Sequence, residues 1–164
     1  MSSPHTAALQ FASVDGLVDA HAIRSPMMQG QKMDFVSTRI ITDDIAQLVR
    51  FYEDIGLQAR WFTDEFAELS SPSCTLAIGS TRTMDMFYGG AATPGSNRSV
   101  IIEFRVDDVD EQFGKLKTLG KEIVQEPTTQ PWGNRSLLIR DPDGSLVNLF
   151  TPVTPEAIQR YAQQ

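Results

Sequence analysis

The sequence is poor in the residues that disulfide-bonded domains and metalloenzymes depend on. Its only cysteine, Cys74, cannot form an internal disulfide, and no secretory segment is apparent. Its two histidines, His5 and His21, both precede residue 33. Because imidazole is a usual ligand of zinc, iron and nickel, a site for these metals in the rest of the chain would need an unusual ligand set.

Basic charge and long apolar runs are also lacking. Fourteen lysines and arginines against 21 aspartates and glutamates give a net charge of -7. This balance argues against a nucleic-acid partner, which requires a basic face. No apolar run approaches the length needed to span a bilayer, so no membrane partner is predicted. We therefore expect a cytoplasmic protein whose 164 residues form one globular domain.

The chain does contain an internal repeat. The stretch from Ser99 to Gly120 repeats the stretch from Phe35 to Gly56 after a shift of 64 positions. The shift superposes Asp43-Asp44-Ile45 on Asp107-Asp108-Val109 and Ile55-Gly56 on Leu119-Gly120. Two copies are too few for a solenoid, so they predict one domain made of two similar modules related by a pseudo-twofold axis.

Each module is predicted to be β-α-β-β-β, which gives an α+β fold. Helical periodicity, an acidic cap and a terminal glycine predict helices over Asp44–Ile55 and Asp108–Leu119, both outside a mixed sheet. Module one spans about 33–90 and module two about 98–152. The fourth strand of module one is either Cys74–Ile78 or Thr83–Tyr88, and the sequence leaves both open.

The two ends of the chain are predicted to lie outside the modules. Residues 1–32 show no sustained periodicity and are interpreted as a loosely ordered extension or a dimer arm. A short helix is predicted at about 155–162. The folded domain therefore spans 33–164.

Strand alternation predicts which side chains face a ligand. Val100, Ile102, Phe104 and Val106 are all apolar and suit the face packed on the helix, so Ile101, Glu103 and Arg105 face the other way. The same offset places Ser37, Arg39 and Ile41 on that face in module one, and Leu146, Asn148 and Phe150 on the last strand. Polar groups among apolar neighbours are typical of ligand pockets.

Four further side chains have a functional and a structural interpretation. Arg39 and Glu103 occupy equivalent repeat positions and are predicted to approach within salt-bridge distance, either as a ligand anchor or as a structural ion pair. Trp61 and Trp132 either stack on a flat ligand or belong to the core. Asp85 is a general base if it faces inward and a solvated carboxylate otherwise.

The motifs together resemble a known family. An Asp-Asp-(Ile/Val) start to each helix, Pro131-Trp132-Gly133 and Asp141-Pro142-Asp143-Gly144 are similar to the vicinal oxygen chelate superfamily of glyoxalases, bleomycin resistance proteins and extradiol dioxygenases. The resemblance covers about Phe35 to Pro152. It implies that the modules curl into a cup enclosing a cavity, and that the chain forms a homodimer.

The resemblance also implies where a metal would be held. The family's four ligand positions correspond to Ser37, to Ala77 or Asp85, to Ile101 and to Asn148. Metal-binding members carry His or Glu there, so we predict no metal and no cofactor. The first hypothesis is a binding protein that sequesters a small organic molecule, such as an antibiotic. The alternatives are a lyase, isomerase or dioxygenase that uses carboxylates such as Glu103 and Asp85, or a purely structural dimer.

Overall fold

The structure is a computed structural model that describes residues 34–162. The predictions for residues 1–32 lie outside the described residues. None of the helices within 34–162 has the length and apolar character needed to cross a membrane.

The described residues form two modules of four strands each. The first comprises β1 (Ser37–Thr42), α1 (Ile45–Asp54), β2 (Ala59–Thr63), β3 (Phe66–Ser70), β4 (Thr75–Ser80) and α2 (Thr81–Asp85). The second comprises β5 (Ile101–Arg105), α3 (Val109–Thr118), β6 (Ile123–Thr129), β7 (Asn134–Arg140) and β8 (Leu146–Pro152), followed by α4 (Pro155–Ala162).

Each module folds its strands into one mixed sheet. The strand orders are β1-β4-β3-β2 and β5-β8-β7-β6, and the first strand of each module pairs parallel to its last. The remaining pairs are antiparallel. The α+β class with two β-α-β-β-β modules is therefore confirmed. Within 34–162 the sheets stay separate and do not close into a barrel.

The helix ends follow the capping residues. The carboxylate of Asp44 accepts the backbone N–H of Gln47 at the start of α1, and that of Asp108 accepts those of Asp110 and Glu111 at the start of α3. The chain leaves α1 through Gly56 with φ of 115°. The predicted helices are thus confirmed to within one residue at each end.

The structure decides between the two alternatives for the fourth strand and corrects one predicted face. The fourth strand of module one is Thr75–Ser80, whereas most of Thr83–Tyr88 lies in α2 and the turn after it. The Thr83 hydroxyl donates to the carbonyl of Ser80, which stabilises a helical turn where alternation had suggested a strand. Val100 lies before β5 and is 55 % exposed, so it does not join Ile102 and Phe104 against the core.

A continuous core joins the two modules. Leu48 and Val49 of α1 are buried in the same apolar cluster as Leu137 of β7 and Leu149 of β8. The ring of Tyr52 packs edge-on against Phe104 of β5, with the centroids 6.2 Å apart. The modules therefore fold as one unit around this cluster.

A buried polar contact crosses the same boundary. The hydroxyl of Tyr52 donates to Asp141 Oδ2 over 3.0 Å, and the backbone N–H of Ser145 donates to Asp141 Oδ1 over 2.7 Å. Burial raises the pKa of Asp141 above the ordinary aspartate value. The Asp-Pro-Asp-Gly turn thus holds module two against α1 of module one.

This burial predicts a pH-dependent difference in stability. The folded protein holds the Asp141 proton more tightly than the unfolded chain does. The contribution of Asp141 to the free energy of unfolding therefore falls as pH rises from the ordinary aspartate value through the raised pKa. The Asp141→Asn variant keeps a side-chain oxygen that accepts the Ser145 N–H. It removes the loss of stability with rising pH, because asparagine does not ionise. We expect the unfolding free energy of the variant, relative to wild type, to increase with pH across that window in denaturant titrations.

Asp107→Asn is the matched control, because Asp107 is an exposed aspartate in the turn before α3. A parallel pH profile for wild type and Asp141→Asn would show that Asp141 is not buried as described.

Candidate functional site

Each sheet has one face packed on the core and one that we call its open face. In the first sheet, the strand register places Arg39 beside Ala77, Ala77 beside Glu68, and Glu68 beside Arg60. The neighbouring row, which contains Ile78 and Ala67, lies in the core. The open face of this sheet therefore carries two arginines and a glutamate.

Aromatic rings surround these arginines. The guanidinium carbon of Arg39 lies 4.8 Å from the ring centre of Phe66 and 5.8 Å from that of Phe87. Arg60 lies 4.6 Å from the ring centre of Phe62, and the Phe62 and Phe66 centroids are 5.8 Å apart. We call these five residues the arginine–aromatic cluster. Phe87 is 71 % exposed and Phe62 48 %, so the cluster is open to a ligand.

Gly79 of β4 explains how Phe87 reaches this face. A Cβ atom at Gly79 would lie 2.7 Å from the Thr83 hydroxyl oxygen and 3.7 Å from Phe66 Cδ2. The missing side chain therefore lets α2 pack beside Phe66 on the open face. Because Phe87 follows α2 closely, its ring comes to lie near Arg39.

The two arginines of the cluster form no ion pair within the described residues, and Glu68 is the carboxylate that lies beside Arg60. Four ion pairs occur among residues 34–162, and none of them includes Arg39 or Arg60. Cation–π contact with phenylalanine leaves the edge of a guanidinium free to donate hydrogen bonds. Arg39 can therefore pair with an acidic group of a ligand.

A cavity of about 280 Å³ opens beside Arg39. It runs along the edge of β1, where Ile41 lies on the open-face side and Ile40 and Ile102 lie on the core side. The linker around Thr93 and Asn97 closes one side. This volume approaches the lower end of the range for small-molecule pockets, about 300 Å³. The cavity can hold the body of a small organic molecule.

The open face of the second sheet carries a different pair. Asn148 Nδ2 donates to Glu103 Oε1 over 2.7 Å, as their direct register on β5 and β8 predicts. Asn148 is buried, whereas Glu103 is exposed. The carboxylate is therefore held by an amide and not by an arginine.

The predicted Arg39–Glu103 ion pair is wrong. Arg39 contacts Phe66 and Phe87, and Glu103 contacts Asn148. The physical reason is that β1 and β5 are edge strands of separate sheets and are not hydrogen-bonded to each other. Equivalent positions in the repeat therefore do not become neighbours in space.

Three of the other predicted site residues lie away from the open faces. Trp61 is paired with Ala67 of β3, so its side chain lies on the core side of the sheet and not on the open face. Its surface is 45 % exposed. Asp85 ends α2 and is exposed, so it is not an inward base on a strand. Trp132 lies in the turn between β6 and β7 and is 55 % exposed.

The remaining candidates do lie on the open faces, one on the first sheet and three on the second. Ser37 stands on the Arg39 side of β1, and Ile101 and Arg105 stand on the Glu103 side of β5. Phe150 of β8 lies opposite Arg105 and is buried beneath Tyr161 of α4, with ring centroids 5.2 Å apart. Strand alternation therefore placed these four correctly relative to the sheets.

The four positions implied for a metal are poorly suited to one. Ala77 occupies the β4 position opposite Arg39 and offers only a methyl group, and isoleucine at 101 has no donor atom. No group of three or more His, Cys, Asp or Glu side chains with metal-binding geometry occurs within residues 34–162. The absence of a bound metal remains a prediction.

Sequence reasoning missed four members of the arginine–aromatic cluster. Arg60 and Phe62 lie in β2, where the register shifts between Trp61 and Thr63, so alternation alone does not give their direction. Phe87 lies outside any strand. The available signal was Phe66, which begins β3 directly after the turn and lies opposite Gly79 of β4.

These features define a class of protein: a two-module α+β domain whose open faces carry sparse polar groups and no set of three metal-binding side chains within 34–162. Residues 34–149 match the family model described as Glyoxalase/Bleomycin resistance protein/Dioxygenase superfamily. The chain belongs to this superfamily, as its motifs suggested. A search of the curated proteins gave no significant match.

Solved structures of the same family share the fold. A glyoxalase/bleomycin resistance protein/dioxygenase family enzyme from Burkholderia phytofirmans is 17 % identical, with a TM-score of 0.65 over 74 % of this chain and 100 % of its own. A glyoxalase/bleomycin resistance protein/dioxygenase from Nocardioides is 20 % identical, with a TM-score of 0.62 over 78 % and 89 %. A lactoylglutathione lyase from Agrobacterium tumefaciens is 21 % identical, with a TM-score of 0.57 over 73 % and 94 %.

The separate environments of Arg39 and Glu103 predict independent contributions to stability. In a double-mutant cycle with Arg39→Gln and Glu103→Gln, we expect a coupling free energy close to zero, and a cost of about 1 kcal/mol or less for Arg39→Gln alone. Denaturant titration of the four proteins measures both. A coupling of about 1 kcal/mol or more would indicate that the two side chains pair after all.

Proposed function

We propose that the chain binds a small planar organic anion, such as an aromatic carboxylate, on the open face of its first sheet. The observation that carries this proposal is Arg39, whose unpaired guanidinium lies between the rings of Phe66 and Phe87 beside a cavity of about 280 Å³. No reaction is needed to account for these residues. The proposed activity is therefore binding.

Each part of the cluster has a role in this proposal. Arg39 offers parallel N–H donors to a carboxylate, a geometry that is both strong and directional. Phe87 supplies an exposed aromatic surface on which a flat ligand stacks, and Ile41 offers an apolar wall. Arg60 adds a second positive charge at the far side of Phe62.

Antibiotic sequestration is the biological use that we propose for such binding. The superfamily includes bleomycin resistance proteins by its description. Sequestration requires a pocket without a catalytic centre, which agrees with the poor metal positions at Ala77 and Ile101. An aromatic compound with an acidic group fits the arginine–aromatic cluster.

The alternative proposal is a lyase, isomerase or dioxygenase with a carboxylate site. The two carboxylates that it would use, Glu103 and Asp85, lie on separate elements, at the centre of β5 and at the end of α2. The alternative therefore rests on superfamily membership. Elemental analysis of protein purified without added metal discriminates between the two. Stoichiometric iron, zinc, nickel or manganese would favour the enzyme.

We also propose a homodimer. Met86 and Tyr88 are 79 % and 75 % exposed, and β1 and β5 are unpaired edges within the described residues. Such surfaces are usually covered by a partner. We expect light scattering at micromolar concentration to give twice the chain mass and Met86→Glu to shift the protein toward monomer. A monomeric wild type would contradict this proposal.

The binding proposal is tested with benzoate as the probe. Calorimetric titration should show Arg39→Gln binding benzoate about tenfold or more weakly than wild type, because the charged hydrogen bonds are lost. Arg39→Lys should recover only part of the affinity. The control is Arg50→Gln, since Arg50 is exposed on α1, which packs on the other face of the sheet.

Equal affinity in wild type and Arg39→Gln would rule out Arg39 as the anchor. Loss of affinity in both Arg39→Gln and Arg50→Gln would indicate nonspecific attraction by positive charge.

A further inference from the structure

The cavity beside Arg39 is also lined by a carboxyl group. Asp143, from the Asp141-Pro142-Asp143-Gly144 turn, borders this cavity together with Ser145. Its Oδ2 atom is buried and has no hydrogen-bond partner within residues 34–162. Buried polar atoms in native proteins nearly always have partners, and an unpaired buried charge is especially costly. Asp143 therefore requires an explanation that the binding of an anion by Arg39 does not supply.

The linker between the two modules packs against this turn. A Cβ atom at Gly95 would lie 3.4 Å from the carbonyl oxygen of Asp143, and one at Gly144 would lie 3.5 Å from Arg98 Nη1. Gly95 itself lines the cavity. Asp143 is therefore held where the linker meets module two, at the wall of the cavity that Arg39 also borders.

Other carboxylates act on Asp143. Asp141 belongs to the same turn, and Asp43 and Asp44 lie between β1 and α1. Burial, followed by the negative charges of these three groups, raises the pKa of Asp143 above the ordinary aspartate value, and the nearby Thr42 hydroxyl offsets part of this rise. The neutral form of Asp143 is therefore favoured at a pH where a surface aspartate is ionised.

The charged and titratable side chains around the turn are engaged elsewhere. Arg140 Nη1 donates to the carbonyl of the turn glycine over 3.0 Å, and Arg140 forms its ion pair with a carboxylate outside the turn. Arg98 Nη1 donates to the carbonyl of the preceding residue over 2.7 Å, and the Tyr52 hydroxyl of α1 donates to Asp141. None of the four ion pairs within residues 34–162 includes Asp143. Ionised Asp143 therefore places a negative charge without a paired cation at the cavity wall.

We propose that Asp143 is a pH-dependent gate on the cavity beside Arg39. When Asp143 is neutral, the cavity accepts an organic anion, and when Asp143 is ionised, the cavity repels one. This inference rests on the anion binding proposed for Arg39 and adds the regulation of that same site. It gives a ligand-related role to a turn that otherwise has only the structural role of joining module two to α1.

Ionisation of Asp143 opposes anion binding through like-charge repulsion. Below the raised pKa, Asp143 carries no charge, and the positive charge of Arg39 acts on the ligand without opposition from Asp143. As pH rises through that pKa, a carboxylate forms in a partly buried wall and repels the carboxylate of the ligand. Binding therefore weakens as pH rises. By reciprocity, a bound anion raises the pKa of Asp143 further.

Benzoate is the probe, titrated calorimetrically from about pH 4.5 to about pH 8 in buffers without carboxylates. We expect wild type to lose about tenfold in affinity relative to Asp143→Asn across this range, so that the variant binds more tightly at the upper end. Protonation of benzoate itself affects both proteins equally and cancels in the comparison.

Two further aspartate variants show which carboxylate is responsible. Asp107→Asn is the matched control, because Asp107 is exposed in the turn before α3, and it should follow wild type at every pH. Asp141→Asn should keep the loss of affinity but move it to lower pH, because it removes a charge that raises the pKa of Asp143. Arg39→Gln should weaken binding at every pH, which tests the anion site separately from the gate.

Carbon NMR of the Asp143 carboxyl group supplies a readout that needs no variant at that position. In the wild-type protein, saturating benzoate should shift the titration midpoint of this carboxyl to higher pH. A purely structural role for Asp143 would leave the midpoint unchanged. This measurement also decides the matter if Asp143→Asn does not fold.

Equal benzoate affinity in wild type and Asp143→Asn at every pH would overturn the gate, while weaker binding by Arg39→Gln would leave the anion site standing. A constant difference between the two proteins across the pH range would show that Asp143 does not change its charge there, which also overturns the gate. An Asp143 midpoint that benzoate does not move would have the same meaning. Absence of benzoate binding to every protein at every pH would refute the anion site and the gate with it.

Discussion

The structure depends on the alternation of side chains across each strand. A helix that covers one face of a four-stranded sheet buries every second residue, and the residues between them must face the other way. In this chain the buried set is apolar and continuous across both modules, from Val49 of α1 to Leu149 of β8. Arg39, Glu103 and Asn148, the polar candidates on strands, owe their positions to being in the other set.

The two modules use the same arrangement but carry different chemistry. In the first sheet, Gly79 admits α2, which brings Phe87 beside Arg39 and produces a positive aromatic surface. In the second sheet, α4 covers Asn134 and Phe150, and the surface keeps an exposed Glu103. The two copies of the repeat therefore present different side chains on their open faces and are covered by different helices.

The buried Tyr52–Asp141 contact shows how module two is anchored. It connects α1 to the Asp-Pro-Asp-Gly turn, and it places a carboxylate in the low-dielectric boundary between modules. Such a group favours its protonated form, so the boundary loses stability as pH rises from the ordinary aspartate value through the raised pKa. The motif that identified the family therefore has a structural role in this chain.

Local signals in the sequence predicted most of the fold. The caps Asp44 and Asp108 and the repeat itself gave both long helices, and alternation in β5 gave the direction of Glu103. The partners of Arg39 and Glu103 were not predictable, because they depend on how β1 and β5 are separated in space. The direction of Trp61 depends on its pairing with Ala67 of β3, which the sequence of β2 alone does not give. Alternation near Thr83 predicted a strand, but a side-chain bond to Ser80 favours a helical turn.

The central claim is that the open face of the first sheet is a ligand site. The most direct test is to titrate benzoate into isotope-labelled protein and follow the assigned backbone amide resonances. The account predicts shifts concentrated at Arg39, Phe66 and Phe87, with α1 on the opposite side of the sheet unaffected. Shifts centred on α1, or none at these three residues at saturating benzoate, would contradict it.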